Sequence, residues 1–217
     1  AGMQDFLPAI RQAVQAEGLS DFWYHTTSAD PKAPVAMGGV QPDTWRNIGG
    51  LRNAVSILHE TRGIGIGKQH LARRVHSHVV AAEALVARMA ERGPQLVALG
   101  RAADRAVAAA ACHGDIVVAA GQTPERRELV LVDDQTGADK AVAVDWRSSL
   151  DLKVTQTRAR PCGYWLAPGE TRAVDTLRAL GVKVESMPGA RRWRAERYVF
   201  KSIEASQRQD GRGAIQD

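Results

Sequence analysis

The chain has 217 residues, of which 44% are hydrophobic and 24% charged. That balance belongs to an ordinary globular protein with a core of its own, in one domain or two small ones. No apolar run approaches the roughly 20 residues that cross a bilayer, and the start lacks the basic-then-apolar order of an export signal. Ala1-Gly2-Met3 reads as a cut edge, so a signal lost upstream stays open. Neither a membrane nor a targeting role is expected from these residues. The net charge is +5, with 23 arginines to 6 lysines. The arginines are scattered, and only Arg191-Arg192-Trp193-Arg194 groups as a nucleic-acid patch would, so nucleic acid is not an expected partner.

Asp5 to Ala16 carries Phe6, Ile10, Ala13 and Val14 at helical spacing and is closed by Gly18, which predicts a short amphipathic helix. Residues 22–27, aromatic and β-branched, predict a strand. The stretch 29–43 holds Pro31, Pro34, Gly38, Gly39 and Pro42 and predicts a long loop. Ala54 to Glu60 predicts a strand buried on both faces. Leu71, Val75, Val79, Ala82 and Val86 predict a helix from Lys68 to about Arg92, broken at Gly93-Pro94. A second helix then runs from Gln95 to about Cys112.

After Gly114 the period changes to that of strands, at 115–119, 128–132, 141–144, 150–155 and 163–167. A helix over 171–180, capped by Gly181, leads into a strand at 182–185, and the polar tail after Ser206 is expected to fray. The change of period sets the expected domains at 1–113 and 114–217. Cys112 and Cys162 have no zinc-finger spacing. Isolated cysteines are most often buried thiols, with a single disulfide left open.

The densest information lies in Arg52-Asn-Ala-Val-Ser-Ile-Leu-His-Glu60-Thr-Arg-Gly-Ile-Gly-Ile-Gly-Lys68. An apolar run ends in a carboxylate, glycines follow, and a helical pattern begins. In an open α/β sheet this puts Glu60 at the carboxyl end of a strand, where such sheets keep their chemistry. The glycine turn fails as a P-loop, having Arg62 and Gln69 at the required glycine and hydroxyl positions. It also fails as a dinucleotide fingerprint, having Lys68 at a glycine position. His59-Glu60 is not an H-E-x-x-H pair, since residue 63 is glycine. His76 and His78 sit about 200° apart on a helix and do not share a metal. Glu60 itself reads either as a general acid–base or as the ion-pair partner of Arg62, Arg73 or Arg74.

The run Trp45-Arg-Asn47-Ile-Gly-Gly50-Leu-Arg-Asn53 through Glu60-Thr-Arg-Gly63 resembles the catalytic-glutamate segment of the carboxypeptidase-A-like zinc metallocarboxypeptidases, in their bacterial branch. Arg73-Arg74-Val75, Arg160-Pro161-x-Gly163-Tyr164-Trp165-Leu166 and Leu177-Arg-x-Leu-Gly181-Val182 resemble the same branch. The resemblance implies an α/β fold: the C-terminal part of a mixed-sheet carboxypeptidase-like domain over 1–113, then a smaller β-rich domain. It implies Glu60 as general base toward a zinc-bound water and proton donor to the leaving amine. The implied substrate is a peptide or an acylated amino acid, and the implied cofactor is zinc. No His-x-x-Glu pair stands upstream of Glu60, so the implied zinc ligands are not in this chain. Arg62, two residues past Glu60 and so on the same side of an extended chain, is read from that spacing as orienting either Glu60 or a substrate carboxylate; the family's own carboxylate-binding arginine would lie upstream. The expectation is a metal-lacking portion that is inactive by itself. Two alternatives remain: a non-enzymatic protein-interaction module, and a nucleotide-binding protein using Gly63–Gly67. The sequence is silent on oligomeric state.

Overall fold

The computed structural model describes residues 2–28, 30, 32–42, 44–63, 65–189, 192, 194–199, 205–210 and 213–216, with backbone alone for residue 3 and for 205–216. The described chain falls into two compact units, Ala1–Tyr164 and Trp165–Asp217. Arg191 and Trp193 of the basic patch lie outside the described residues.

In the first unit a π-helical turn, Gly2–Phe6, runs into helix α1, Leu7–Ala16. Pro8 sits in the first turn, where a missing N–H costs nothing. Gly18 ends the helix at φ +70°, with Gly18 N donating to Gln15 O and Leu19 N to Val14 O. This left-handed cap satisfies carbonyls that the helix leaves open, and glycine takes it without strain. Ile10 and Val14, one turn apart, are buried with Ala81, and Leu19, Ile57 and Leu85 pack around them.

Strands β1 (His25–Thr26) and β2 (Val35–Met37) are short. The strand expected over 22–27 is thus reduced to two residues, and the loop expected over 29–43 contains β2. Helix α2, Trp45–Leu51, was not expected; its two glycines weaken the helical signal. Helix α3 is a single helix, Leu71–Ala109, and runs through Gly93-Pro94. The expected break there is corrected. Proline removes one hydrogen bond and crowds the preceding turn, but Ala, Leu, Arg and Glu, all strong helix formers, surround it.

Strands β3 (Asp115–Val132) and β4 (Asp139–Ala159) form a long antiparallel ribbon. The short strands expected in this region therefore merge in pairs. Their joining turn is held by the Asp133 carboxylate, which accepts from the Gln135 and Thr136 amides, while Gly137 takes φ +70°. Strand β2 adds parallel to β4, with Val35 opposite Trp146, giving a four-stranded mixed sheet in the order β1-β2-β4-β3. The described fold is mixed α/β. A second core gathers Val35, Met37, Leu129 and Trp146, the last fully buried. A disulfide joins Cys112 to Cys162, correcting the expectation of buried thiols: the turn after α3 is tied to the segment after β4.

In the second unit, helix α4 (Thr171–Ala179) is followed by Gly181 at φ +73°. Strands β5 (Ala205–Asp210) and β6 (Gly213–Gln216) pair antiparallel where a frayed tail was expected. Residues 163–167 and 182–185 form no strand.

Candidate functional site

The segment 54–62 is the centre of the site, and it is not the buried strand that its composition suggests. No described residue of 55–62 makes a backbone–backbone hydrogen bond. Burial alternates instead: Val55, Ile57, His59 and Thr61 are half-buried, whereas Ser56, Leu58, Glu60 and Arg62 are exposed. That alternation is the signature of an extended chain with one packed face. Apolar composition on both sides suggested two buried faces, but only Ile57 meets the α1–α3 core. No described strand lies beside the other face to pair with it.

Upstream, the motif residues hold this segment in place. Asn47 Nδ2 donates toward Gly39 O at 3.0 Å, Gln41 O at 2.7 Å and Thr44 Oγ1 at 2.9 Å, gathering the preceding loop onto α2. Asn53 takes φ +53° as the chain leaves α2, and Asn is among the few residues that enter this region readily. Its Nδ2 donates to Asp104 Oδ1 at 2.9 Å, anchoring the start of the segment to α3. Gly49 lies against Ser56, where a Cβ would come within 2.5 Å of the serine Cβ.

Downstream, Gly65 and Gly67 take φ of +83° and +53° and turn the chain toward α3. Arg74 Nη1 donates to Gly67 O and Gln69 O, at 2.9 and 3.0 Å, so the turn presents these carbonyls to a cation.

Glu60 and Arg62 share the outward face, as their spacing of two predicts. Among the described residues neither makes a hydrogen bond or an ion pair, and they do not pair with each other. The ion pairs of Glu60 with Arg62, Arg73 or Arg74 are therefore not formed there. Residues 53–58, from both faces of the segment, line a groove of about 1240 Å³ that also touches Leu51, Leu99, Val118 and Leu152. Glu60 is not among the residues that line it. Tyr24 also lines the groove.

On the inward face lies a group the sequence did not single out. The rings of His59 and His78 meet edge-on, centroids 4.8 Å apart. Burial, and then the neighbouring His78, hold the His59 imidazole below its ordinary range. Two histidines 19 positions apart carry no spacing signal, and only the packing of the segment on α3 brings them together.

Among the described residues no group of three or more His, Cys, Asp or Glu side chains is placed to hold a metal ion. The described residues do not fit the implied zinc.

Two relatives describe the chain further. Probable carboxypeptidase 2 of Trichophyton verrucosum (strain HKI 0517) is 26% identical over 186 residues, covering 84% of this chain and 35% of the relative. Carboxypeptidase 2 of Trichophyton rubrum is 26% identical over 186 residues, 84% of this chain and 34% of its own length. The chain is distantly related to carboxypeptidases. It spans about a third of the length of the curated relatives it matches. No protein-family model and no solved structure matches it. Among the described residues no helix is long and apolar enough to cross a membrane.

Proposed function

We propose that this chain is the C-terminal portion of a zinc-dependent metallocarboxypeptidase that removes a C-terminal residue from a peptide or hydrolyses a related acylated amino acid. In this reading Glu60 is the general acid–base, and the zinc ligands belong to the part of the protein corresponding to the remaining two thirds of the relatives' length. The observation that carries the reading is the state of Glu60. Its segment is packed on one face and leaves this carboxylate exposed, unpaired among the described residues, two positions past Leu58, which lines an apolar groove. The relation to carboxypeptidases over 84% of the chain supports it.

A carboxylate with no competing partner is available to take a proton from a water attacking the scissile carbonyl and to return it to the leaving amine. Arg62, on the same face and also unpaired, is the cation this segment offers to a substrate carboxylate. An arginine fork suits that group by geometry as well as charge.

The test is carboxypeptidase turnover in the complete protein with Glu60→Gln. General acid–base catalysis contributes on the order of 100-fold or more, so kcat should fall by at least about that factor while the protein stays folded. Turnover equal to that of the unsubstituted protein would refute the role of Glu60. A non-enzymatic module predicts no turnover and no zinc in the purified complete protein.

A further inference from the structure

Glu60 sits between two residues that are both held by one side chain of α3. His59 sets its ring against that of His78, with planes 78° apart. Thr61 Oγ1 shares a hydrogen bond of 3.1 Å with His78 Nε2. Both neighbours belong to the half-buried face of the segment, and Glu60 to the opposite, exposed one.

We propose that His78 is a positioning residue for Glu60, clamping the residue on either side of it. The proposal rests on the reading of Glu60 as the acid–base. Its physical basis is that the segment lacks the usual means of fixing a strand. Residues 55–62 make no backbone–backbone hydrogen bonds among the described residues, so no ladder sets the direction of their side chains. Ile57 packs into the α1–α3 core three residues before Glu60. Beyond Glu60 the chain enters a turn with Gly65 and Gly67 in left-handed conformations.

A single anchor beside Glu60 would leave the segment free to rotate about its own axis and swing the carboxylate. Two anchors, one on each flanking residue and both on the same face, remove that rotation. Because they converge on His78, about two turns into a 39-residue helix, the reference for both is one stiff element. The two interactions also differ in kind. The ring pair fixes distance and tilt, and the hydrogen bond fixes the approach of Thr61. Small displacements of a reacting group can cost up to about 100-fold in rate, so such a clamp is expected to act on kcat.

The experiment uses the complete protein and measures kcat and KM separately for His78→Ala, His78→Gln, Thr61→Val and the double variant His78→Ala/Thr61→Val, with thermal unfolding of each. His78→Ala should lower kcat on the order of tenfold or more and leave KM within about a factor of two, since no substrate contact is removed. His78→Gln, which restores a hydrogen-bonding group for Thr61 but no ring for His59, should recover part of the loss. Thr61→Val should lower kcat and add little to His78→Ala, because both remove the same bond. Should His78→Ala fail to fold, His78→Gln and Thr61→Val carry the test.

An unchanged kcat in the folded His78 variants overturns the proposal. So does a loss confined to KM, or full additivity of Thr61→Val with His78→Ala. Glu60→Gln is measured beside them. If it keeps full turnover, the role of Glu60 has failed; if it is inactive while the His78 variants run at full rate, only the clamp has failed.

Discussion

Gly49 and Ser56 show how closely the candidate segment is fitted to the helix before it. Gly49 is in α2, where alanine would ordinarily be favoured by about 1 kcal/mol. Here an added Cβ would lie 2.5 Å from the Ser56 Cβ and 3.1 Å from its Oγ, so one of the two backbones must move. Overpacking of this kind costs about 1–3 kcal/mol, which outweighs the helical gain. Gly49→Ala should therefore lower the midpoint of thermal unfolding. Ser56→Gly in the same protein should restore most of it, since the nearest remaining atom, the Ser56 Cα, would be 3.7 Å away. A Gly49→Ala protein as stable as the original would show that the close approach does not constrain the fold.

The same residues show what could be read in the sequence. The pattern from Trp45 to Arg62 pointed to Glu60 through its placement, and the spacing of Glu60 and Arg62 put them on one face, as found. The pattern did not separate its parts by task. Asn47 gathers a loop, Asn53 tolerates a left-handed turn, and Gly49 makes room for Ser56. Asn and Gly serve turns and active sites alike, so their types alone do not distinguish the roles.

At the scale of elements, helices driven by local pattern were legible and strands driven by pairing were not. Helix α1 announced itself through Phe6, Ile10 and Val14, and its stop through Gly18. The ribbon appeared in the sequence as disconnected apolar pieces. The intervening residues 121–127 and 147–148 are poor strand formers by composition, yet they pair across the ribbon, Gly121 with Lys153, Pro124 with Arg147 and Glu125 with Trp146. Cross-strand partners far apart in sequence override local preference. For 54–60 the failure was the opposite: a strand-like composition with no described strand beside it.

The disulfide between Cys112 and Cys162 is the strongest tie between helix and ribbon, joining residues 50 positions apart. Closing a loop of that length restricts the unfolded chain by about 4 kcal/mol in the entropic account. Cys112→Ser with Cys162→Ser should lower the unfolding midpoint, and reductant should lower that of the original protein to a similar value. If reductant leaves the midpoint where it is, the bridge does not support the fold.

At the scale of the whole molecule, exposed large hydrophobic side chains outnumber the buried ones among the described residues. Among the described residues, only eight hydrophobic side chains are buried: Phe6, Ile10, Val14, Val35, Met37, Ala81, Leu129 and Trp146. A unit the size of Ala1–Tyr164 ordinarily buries most of the surface its unfolded chain exposes. Along α3 only Ala81 is buried, while Val86 and Leu99 stand 64% and 57% exposed, and Leu51 on α2 reaches 70%. The groove beside Leu58 is lined by more of the same. Contiguous apolar surface on this scale marks a face that something covers. Within the proposed function, the cover is the part of the protein corresponding to the two thirds of the relatives that this chain does not match.

The prediction follows from comparing the two lengths. The 217-residue chain alone should bind a hydrophobic dye such as anilinonaphthalene sulfonate strongly and self-associate as its concentration rises. The complete protein, at equal molar concentration, should bind far less dye per molecule and stay monodisperse by light scattering. Equal dye binding per molecule would mean that the exposed faces of α3 and of the groove stay open in the complete protein. The apolar surface would then be a property of this chain itself and no longer support its reading as one portion of a larger catalytic unit.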